Sequence, residues 1–274
     1  MVTPYYSESG VTIYLGDARG VLPSLPVGLI VTDPPYNRDY HYDLYADSLT
    51  EANYDLLLDA SLPPPAVVIH YPEELIRLAV RWRRTPERFA AWVYHANTPH
   101  QWRGVAWWGI APDFRLGGQA YKNPHDQRVQ RLMARGSEAM LYDWWHVEQI
   151  KNVSREKTEH PCQVPLRVME NILRITPFAG PVIDPFMGSG TTLLAAKRQG
   201  REAVGIEVSE KYIEIAIARL SSYGQEGHQA IARGQGALLF DQNQAPSPLL
   251  DGRESGVVSE KGEAAEGITT GTVE

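Results

Sequence analysis

The sequence contains one cysteine, Cys162, in 274 residues. A single cysteine cannot form an internal disulfide, which fits a reducing compartment. No apolar run approaches the length needed to cross a bilayer, and residues 1–10 are polar, without the basic and apolar regions of a secretory signal. These absences predict a cytoplasmic protein that makes no membrane contact.

Positive charges are outnumbered overall, with 26 basic against 33 acidic residues and a net charge of −7. Its distribution is uneven: residues 77–135 hold 11 basic and three acidic side chains, and all seven tryptophans fall within 82–145. Basic groups neutralise phosphates and aromatic rings stack on exposed bases, so this segment could bind nucleic acid. Equally, the arginines could form a solvated face and the tryptophans a core. Composition leaves both interpretations open.

Short apolar runs alternate with segments of helical spacing, which predicts a doubly wound α/β sheet. Between the two regular stretches, residues 95–157 are irregular and rich in Gly, Pro, Arg and Trp, as an insertion would be. The last part, 224–274, is acidic and glycine-rich, and we predict that it is largely disordered. The predicted strands are Val11–Leu15, Leu29–Thr32, Ala66–His70, Arg88–Tyr94, Pro181–Asp184 and Glu202–Glu207, and the predicted helices Glu73–Trp82, Pro165–Ile175, Thr191–Gln199 and Ser209–Ser222.

The segment that follows the strand ending at Asp184 is a candidate ligand loop, named here the glycine loop (Phe186-Met187-Gly188-Ser189-Gly190). Glycines let a backbone approach a ligand, and the following helix offers free N–H groups. Glu207 ends the next strand and can accept hydrogen bonds from ribose hydroxyls, as in nicotinamide enzymes. Leu193 occupies the third glycine position of the dinucleotide motif, which disfavours a dinucleotide ligand.

A second candidate is the DPPY loop (Asp33-Pro34-Pro35-Tyr36), which follows the predicted strand Leu29–Thr32. A carboxylate and a carbonyl held rigid between prolines can accept the protons of an exocyclic amine and so localise its lone pair. The tyrosine ring can stack on a base turned out of a duplex. The same four residues could also be a simple turn after a strand.

Together, the two loops resemble the signatures of DNA amino-methyltransferases, a (D/N/S)PP(Y/F) loop and an FxGxG loop. The DPPY loop comes first, which is similar to the circularly permuted order of the β group. The Gly-Asp at Asp17 and the segment His160-Pro-x-Gln-x-Pro also match that group's pattern. The resemblance covers most of the chain from Leu15 to Glu207.

This resemblance implies a Rossmann-like sheet, S-adenosylmethionine as methyl donor and double-stranded DNA as acceptor, in a prokaryotic or phage-infected cell. It divides the chain into a catalytic half (1–94), a target-recognition insertion (95–157), a cofactor half (158–223) and the tail. A homodimer and a cognate restriction enzyme are further partners that the sequence does not decide. The implied catalytic residues are Asp33, Pro34, Pro35 and Tyr36, and the implied cofactor residues Asp17, His160, Asp184, Phe186, Gly188, Gly190, Thr191 and Glu207.

The methylated amine is predicted from one residue. In the family that the sequence resembles, aspartate at the first position of the DPPY loop more often accompanies adenine N6, and serine accompanies cytosine N4. We therefore favour adenine N6 over cytosine N4. An RNA or protein amide methyltransferase with the same loop, and a DNA-binding regulator without turnover, are the remaining alternatives.

Two other signals carry less weight. Pro161-Cys162-Gln163 resembles the nucleophile motif of cytosine-C5 methyltransferases, but it precedes the glycine loop instead of following it, so we expect Cys162 to be a small buried residue. His95 and His100 lack ligand spacing, and we expect no metal.

Overall fold

The computed structural model describes residues 2–42, 44–45, 47–151, 154 and 156–232, with side chains described as far as 222. Met1–His228 form one compact unit. Of the second unit, 229–274, only the end of a helix at 229–232 is described. Among the described residues, no helix combines the length and apolarity that a membrane span requires.

The described residues form eleven strands and seven α-helices. The strands are β1 (Tyr6–Glu8), β2 (Val11–Leu15), β3 (Leu29–Thr32), β4 (Ala66–His70), β5 (Arg88–Val93), β6 (Trp102–Trp108), β7 (Gly118–Gln119), β8 (Ala139–Met140), β9 (Trp144–His146), β10 (Val182–Asp184) and β11 (Ala203–Glu207). The helices are α1 (Ala18–Val21), α2 (Glu51–Ser61), α3 (Pro72–Arg81), α4 (Gln127–Met133), α5 (Leu166–Ile175), α6 (Thr191–Arg198) and α7 (Glu210–Ala232).

Nine strands form one sheet in the order β1-β2-β11-β10-β3-β4-β6-β5-β9. Its centre, from β2 to β4, is parallel throughout, whereas β6 runs antiparallel to both β4 and β5. The central strands are apolar runs buried on both faces, as parallel strands between helices must be. The predicted doubly wound α/β sheet is confirmed.

The two halves of the chain meet between β3 and β10, which are neighbours although about 150 residues separate them. From β10 the chain crosses by α6 to β11 on one side, and from β3 it crosses by α2 to β4 on the other. Strand order therefore reverses at this point, and the carboxyl ends of β3 and β10 border an open crevice. Both predicted ligand loops begin at those two ends.

Alternate residues of each strand enter one of two apolar cores. On one face, Val31 and Val67 pack in a cluster with side chains of α5, α6 and α7. On the other, Ile30 and Val68 pack in a cluster with side chains of α1, α2 and α3. Because both faces are covered, the positions of the strand ends are set by the packing of both layers.

The predicted insertion, 95–157, is partly a piece of the main sheet. Within it, β6 pairs with β4 and β5, and β9 pairs with β5. A boundary at residue 94 would therefore separate strands that are hydrogen-bonded to each other. The part of this segment between β6 and β9, residues 109–143, holds α4 and the small sheet of β7 and β8 outside the main sheet.

Burial and ion pairing decide between the two interpretations of the Trp- and Arg-rich segment for four of its tryptophans and four of its arginines. Four of the seven tryptophans are core residues at 0–4% exposure: Trp92, Trp107, Trp108 and Trp145. Several arginines form ion pairs within the protein, so they brace the fold. These pairs are Arg77–Glu51, Arg81–Asp55, Arg81–Asp59, Arg84–Glu87 and Arg115–Asp113.

The predicted tail begins later than its composition indicates. Helix α7 continues to Ala232, so residues 224–232 are helical. The remainder of the predicted tail, 233–274, lies outside the described residues.

Candidate active site

A cavity of about 820 Å³ lies at the carboxyl ends of β3 and β10. Eleven of the twelve predicted site residues line it, and the exception is Gly190, which is buried. The strand ends that precede the two loops are joined, because the buried Thr32 hydroxyl donates a hydrogen bond to Asp184 Oδ1 at 2.6 Å. The fold thus brings the predicted catalytic and cofactor residues to one place.

Within the DPPY loop, Tyr36 Oη donates a 2.5 Å hydrogen bond to Asp33 Oδ1. The Tyr36 ring stacks on the imidazole of His70, with ring centroids 4.0 Å apart and planes 22° from parallel. One face of Tyr36 is therefore already covered by the protein. A ligand ring that stacks on Tyr36 has to use the other face.

The backbone of the DPPY loop is held by a chain of hydrogen bonds through two residues that the sequence did not reveal. The Tyr71 amide donates to His70 Nδ1 at 2.7 Å, so Nε2 carries the imidazole proton and donates to Tyr54 Oη at 2.8 Å. Tyr54 Oη in turn donates to the Pro35 carbonyl at 2.8 Å. Burial lowers the pKa of His70 to about 3, which keeps this imidazole neutral.

Opposing effects act on the pKa of Asp33. Burial raises the pKa of Asp33 to about 7, and the charge of Asp184 also raises it. The Tyr36 hydroxyl and the Arg103 guanidinium act in the opposite direction. Arg103 projects from β6 and lies 4.1 Å from the centroid of the Tyr71 ring and 5.2 Å from that of Tyr36. The carboxyl group at the centre of the site therefore titrates near neutrality.

The raised pKa of Asp33 predicts a pH dependence. The protonated carboxyl is no longer an anionic acceptor for the amine, so kcat/KM for DNA should fall about tenfold per pH unit as the pH decreases below about 7 and should level off above it. Initial rates between pH 5.5 and 8.5 measure this profile. The residual activity of Asp33→Asn should lack the inflection near pH 7, and an unchanged inflection would assign it to another group.

The glycine loop depends on two glycines with left-handed backbone, Gly188 (φ 50°) and Gly190 (φ 75°). A Cβ on Gly188 would lie 2.7 Å from His160 Nε2, and one on Gly190 would lie 2.7 Å from Ala216 Cβ. Gly190 is the N-cap of α6, whose first amides face the loop. Conformation and close packing both require glycine at these two positions.

Glu207 holds the glycine loop against the adjacent strand end. Its Oε2 accepts a hydrogen bond from the Gly188 amide at 3.0 Å, and its Oε1 accepts from the amides of Val208 and Ser209 at 2.9 Å each. Burial raises the pKa of this carboxyl group. Each carboxylate oxygen can accept more than one hydrogen bond, so Oε2 retains capacity for a ribose hydroxyl.

Arg219 supports the same loop from α7, and no motif in the sequence indicated it. Its Nη1 donates to the Ser189 carbonyl at 2.6 Å and to Thr191 Oγ1 at 3.0 Å. Burial lowers the pKa of this guanidinium to about 10. The Thr191 hydroxyl, predicted to face the cofactor, is thus engaged by Arg219.

His160 and Asp17 close two sides of the glycine-loop end of the cavity. His160 is 8% exposed and meets the Tyr212 ring edge-on at 4.5 Å between centroids, and burial lowers its pKa to about 4. Asp17 caps α1 by accepting the Arg19 amide at 2.8 Å and also pairs with the Arg19 guanidinium. A neutral imidazole and a carboxylate therefore face the cavity.

The expectation that Cys162 is buried is wrong. The residue is exposed at the cavity wall, near Tyr40 and Tyr42. Desolvation of the sulfur raises the pKa of the thiol, against hydrogen bonds with Tyr42 and Tyr40 that lower it, whereas a nucleophilic cysteine needs a lowered pKa. The structure thus gives no support to the cytosine-C5 alternative.

The residues present fit S-adenosylmethionine. Gly188 provides a close backbone approach that a Cβ would fill, Glu207 an acceptor for the ribose, and Asp17 a carboxylate for a cationic group. The volume of about 820 Å³ is in the range of small-molecule sites, with room beside the DPPY loop for a second ligand. Fold and cavity together define an S-adenosylmethionine-dependent methyltransferase.

Comparisons with known proteins specify the class further. A family model described as DNA methylase, of the N6/N4 type, matches residues 89–218. The type II methyltransferase M.ScaI of Streptomyces caespitosus is 30% identical over 267 residues, which cover 81% of this chain and 85% of that protein. The chain belongs to the N6-adenine/N4-cytosine DNA methyltransferases of restriction-modification type.

Solved structures support the fold. The PvuII DNA methyltransferase, described as cytosine-N4-specific, matches with a TM-score of 0.57 at 18% identity, over 85% of this chain and 96% of its own. M1.HpyAVI in complex with S-adenosylmethionine matches with a TM-score of 0.50 at 24% identity, over 77% of this chain and 100% of its own.

Proposed function

We propose that this enzyme methylates the N6 amine of adenine in double-stranded DNA. The observation that carries the proposal is the carboxylate of Asp33 at the first position of the DPPY loop, on the cavity wall. Aspartate at this position more often accompanies adenine in the family. S-adenosylmethionine supplies an electrophilic methyl group, and the protein has to present a nucleophilic amine to it.

Asp33 and the carbonyl of Pro34 are proposed to accept hydrogen bonds from the two N–H groups of the amine. An exocyclic amine on a base ring is a poor nucleophile because its lone pair is delocalised into the ring. Two acceptors that hold the N–H bonds out of the plane of the base favour the pyramidal amine that develops during transfer. The hydrogen bonds from His70 through Tyr54 to Pro35 keep the loop in place, so the acceptors need little rearrangement.

Tyr36 is proposed to stack on the extruded base with the ring face that His70 leaves open. Base–aromatic stacking contributes about 1–3 kcal/mol per base, which offsets part of the cost of unstacking. The hydrogen bond from Tyr36 Oη uses Asp33 Oδ1, and a carboxylate can accept further hydrogen bonds, so this bond can persist when the amine arrives. It then keeps the carboxylate oriented.

Residues 109–143, outside the main sheet, are proposed to contact the target DNA. Exposed basic residues lie here on and beside α4, and within the described part of the chain Arg128, Arg131 and Arg135 take part in no ion pair. Phosphate contacts by such side chains would hold the duplex across the cavity without reading its sequence. The homodimer and the restriction-enzyme partner stay predictions.

The direct test is to identify the methylated nucleoside. Purified enzyme is incubated with unmethylated duplex DNA and S-adenosylmethionine, the DNA is digested, and the nucleosides are separated by mass spectrometry. We expect N6-methyladenosine in its deoxy form. N4-methyldeoxycytidine would overturn the base assignment and leave the family intact, and methyl transfer to RNA or protein alone would overturn the DNA substrate.

A further inference from the structure

Three side chains that commonly bind metals converge where β5 and β9 end. His146 is the last residue of β9, Glu148 follows two positions later, and His95 stands two positions after β5. Since β5 and β9 are parallel, with Val93 opposite His146, the two-residue period of extended chain brings all three to the same end of the sheet. The cluster is separate from the residues of the DPPY and glycine loops.

The three donor atoms surround one point. His95 Nδ1 lies 2.5 Å from Glu148 Oε1, His146 Nε2 lies 3.0 Å from the same oxygen, and the two nitrogens are 3.2 Å apart. The other carboxylate oxygen, Oε2, faces the Lys151 ammonium at 3.9 Å. The oxygen shared by the histidines is therefore the one that Lys151 leaves available.

Hydrogen bonds alone do not account for this arrangement. A carboxylate oxygen only accepts, so both imidazole nitrogens must carry hydrogen to bond to Oε1. With Glu148 ionised, two N–H groups then face each other across 3.2 Å, which is an unfavourable contact. If one cation replaces the two protons, all three atoms become its ligands. The three contacts are then ordinary distances between neighbouring ligand atoms.

The distances fit a small tetrahedral ion. With Zn–N and Zn–O bonds of about 2.0–2.2 Å, neighbouring ligand atoms are roughly 3.3–3.5 Å apart. All three observed distances are shorter than this: 3.2 and 3.0 Å are close to it, and the 2.5 Å contact between His95 and Glu148 has to widen most. Two nitrogen donors disfavour Ca²⁺ and Mg²⁺, which select oxygen ligands.

The backbone between two of the ligands is held in place. The Val147 amide donates to the Val93 carbonyl at 3.0 Å, and its carbonyl accepts from the buried Trp92 Nε1 at 2.7 Å. His146 and Glu148 are thus presented from a fixed segment, which lowers the entropy lost on binding. The next residues, Gln149 and Ile150, line the cavity.

We propose that His95, His146 and Glu148 form a Zn²⁺ site that ties the end of β5 to the segment leading into the cavity wall. Three protein ligands leave a fourth position for water. The sequence shows no metal-ligand spacing for His95 and His100. The signal it does contain is the His-x-Glu pair at residues 146 and 148, which becomes meaningful only when the fold brings His95 beside it.

Calorimetric titration of the chelator-treated full chain with ZnCl₂ tests the site. We expect one equivalent to bind with a Kd of about 1 μM or below and the melting temperature to rise with added zinc, as for any ligand of the folded state alone. His146→Ala and Glu148→Gln should each weaken binding at least about tenfold. The matched control is His125→Ala, which removes an exposed histidine outside the cluster and should bind as the unmodified chain does.

Glu148→Gln keeps the shape of the side chain, so a folding defect in His146→Ala would not obscure the result. MgCl₂ under the same conditions should give no comparable heat. Absence of zinc binding at about 100 μM, or equal binding by the chain and both cluster variants, would overturn the proposal.

Discussion

Asp33→Asn should lower kcat for DNA methylation by about 10²–10⁴-fold while the Kd for S-adenosylmethionine changes less than about threefold. The carboxamide has nearly the same size, but it presents one acceptor oxygen without charge and adds an N–H donor. It can therefore no longer act as an anionic acceptor for the amine that is to be methylated. Because Asp33 stands at the DPPY loop, the change leaves the glycine loop and Glu207 intact.

The measurement combines single-turnover methylation of duplex DNA with calorimetric titration of the cofactor. Asp39→Asn is the matched control: the same exchange is made six residues away at an exposed position with left-handed backbone, which asparagine tolerates. Its activity should remain within about twofold of the unmodified enzyme, as for a surface change away from special features. Near-normal rates in Asp33→Asn would show that Asp33 is not the acceptor.

Gly190→Ala should destabilise the protein by about 2–5 kcal/mol and reduce kcat/KM by on the order of 10²-fold. The left-handed backbone at Gly190 costs a β-carbon about 1–2 kcal/mol, and overpacking adds about 1–3 kcal/mol. The clash arises because the new Cβ would lie 2.7 Å from Ala216 Cβ on α7. Relief of the clash displaces the N-terminus of α6, and an error of about 1 Å in ligand position can cost about 10²-fold in rate.

Gly200→Ala separates the cost of the left-handed backbone from the cost of the clash. Gly200 also has left-handed backbone (φ 67°), but a β-carbon there meets nothing within 4 Å. It should lose only about 1–2 kcal/mol and keep normal cofactor binding. Adding Ala216→Gly to Gly190→Ala should restore part of the stability and the cofactor Kd. Denaturant unfolding and cofactor titration measure both, and equal losses in Gly190→Ala and Gly200→Ala would contradict the packing explanation.

The central strands and both ligand loops could be predicted because their signals are local. An apolar run that ends at Asp33-Pro34-Pro35 indicates a strand followed by a loop. Glycines before a segment of helical spacing indicate a tight strand-to-helix turn. The order of the two loops along the chain then identified the family through its resemblance. None of these inferences required knowledge of which strands are neighbours.

The remaining site residues could not be predicted because their roles depend on contacts distant in sequence. His70 and Tyr54 are ordinary strand and helix residues until the fold places them against Tyr36 and Pro35. Arg219 belongs to no motif on its helix, and only packing brings it to the glycine loop. The long chain separations leave no short motif to detect.

The sequence by itself determined the α/β class, the permuted order of the loops and the residue types that carry the chemistry, because each follows from nearest-neighbour patterns. The tertiary structure decided that β3 adjoins β10, which turns two separate loops into one cavity. It also placed β6 and β9 in the sheet and most tryptophans in the core, since burial is a property of the whole fold. The physical reason is that strand pairing and packing select partners by complementary surfaces, irrespective of their separation along the chain.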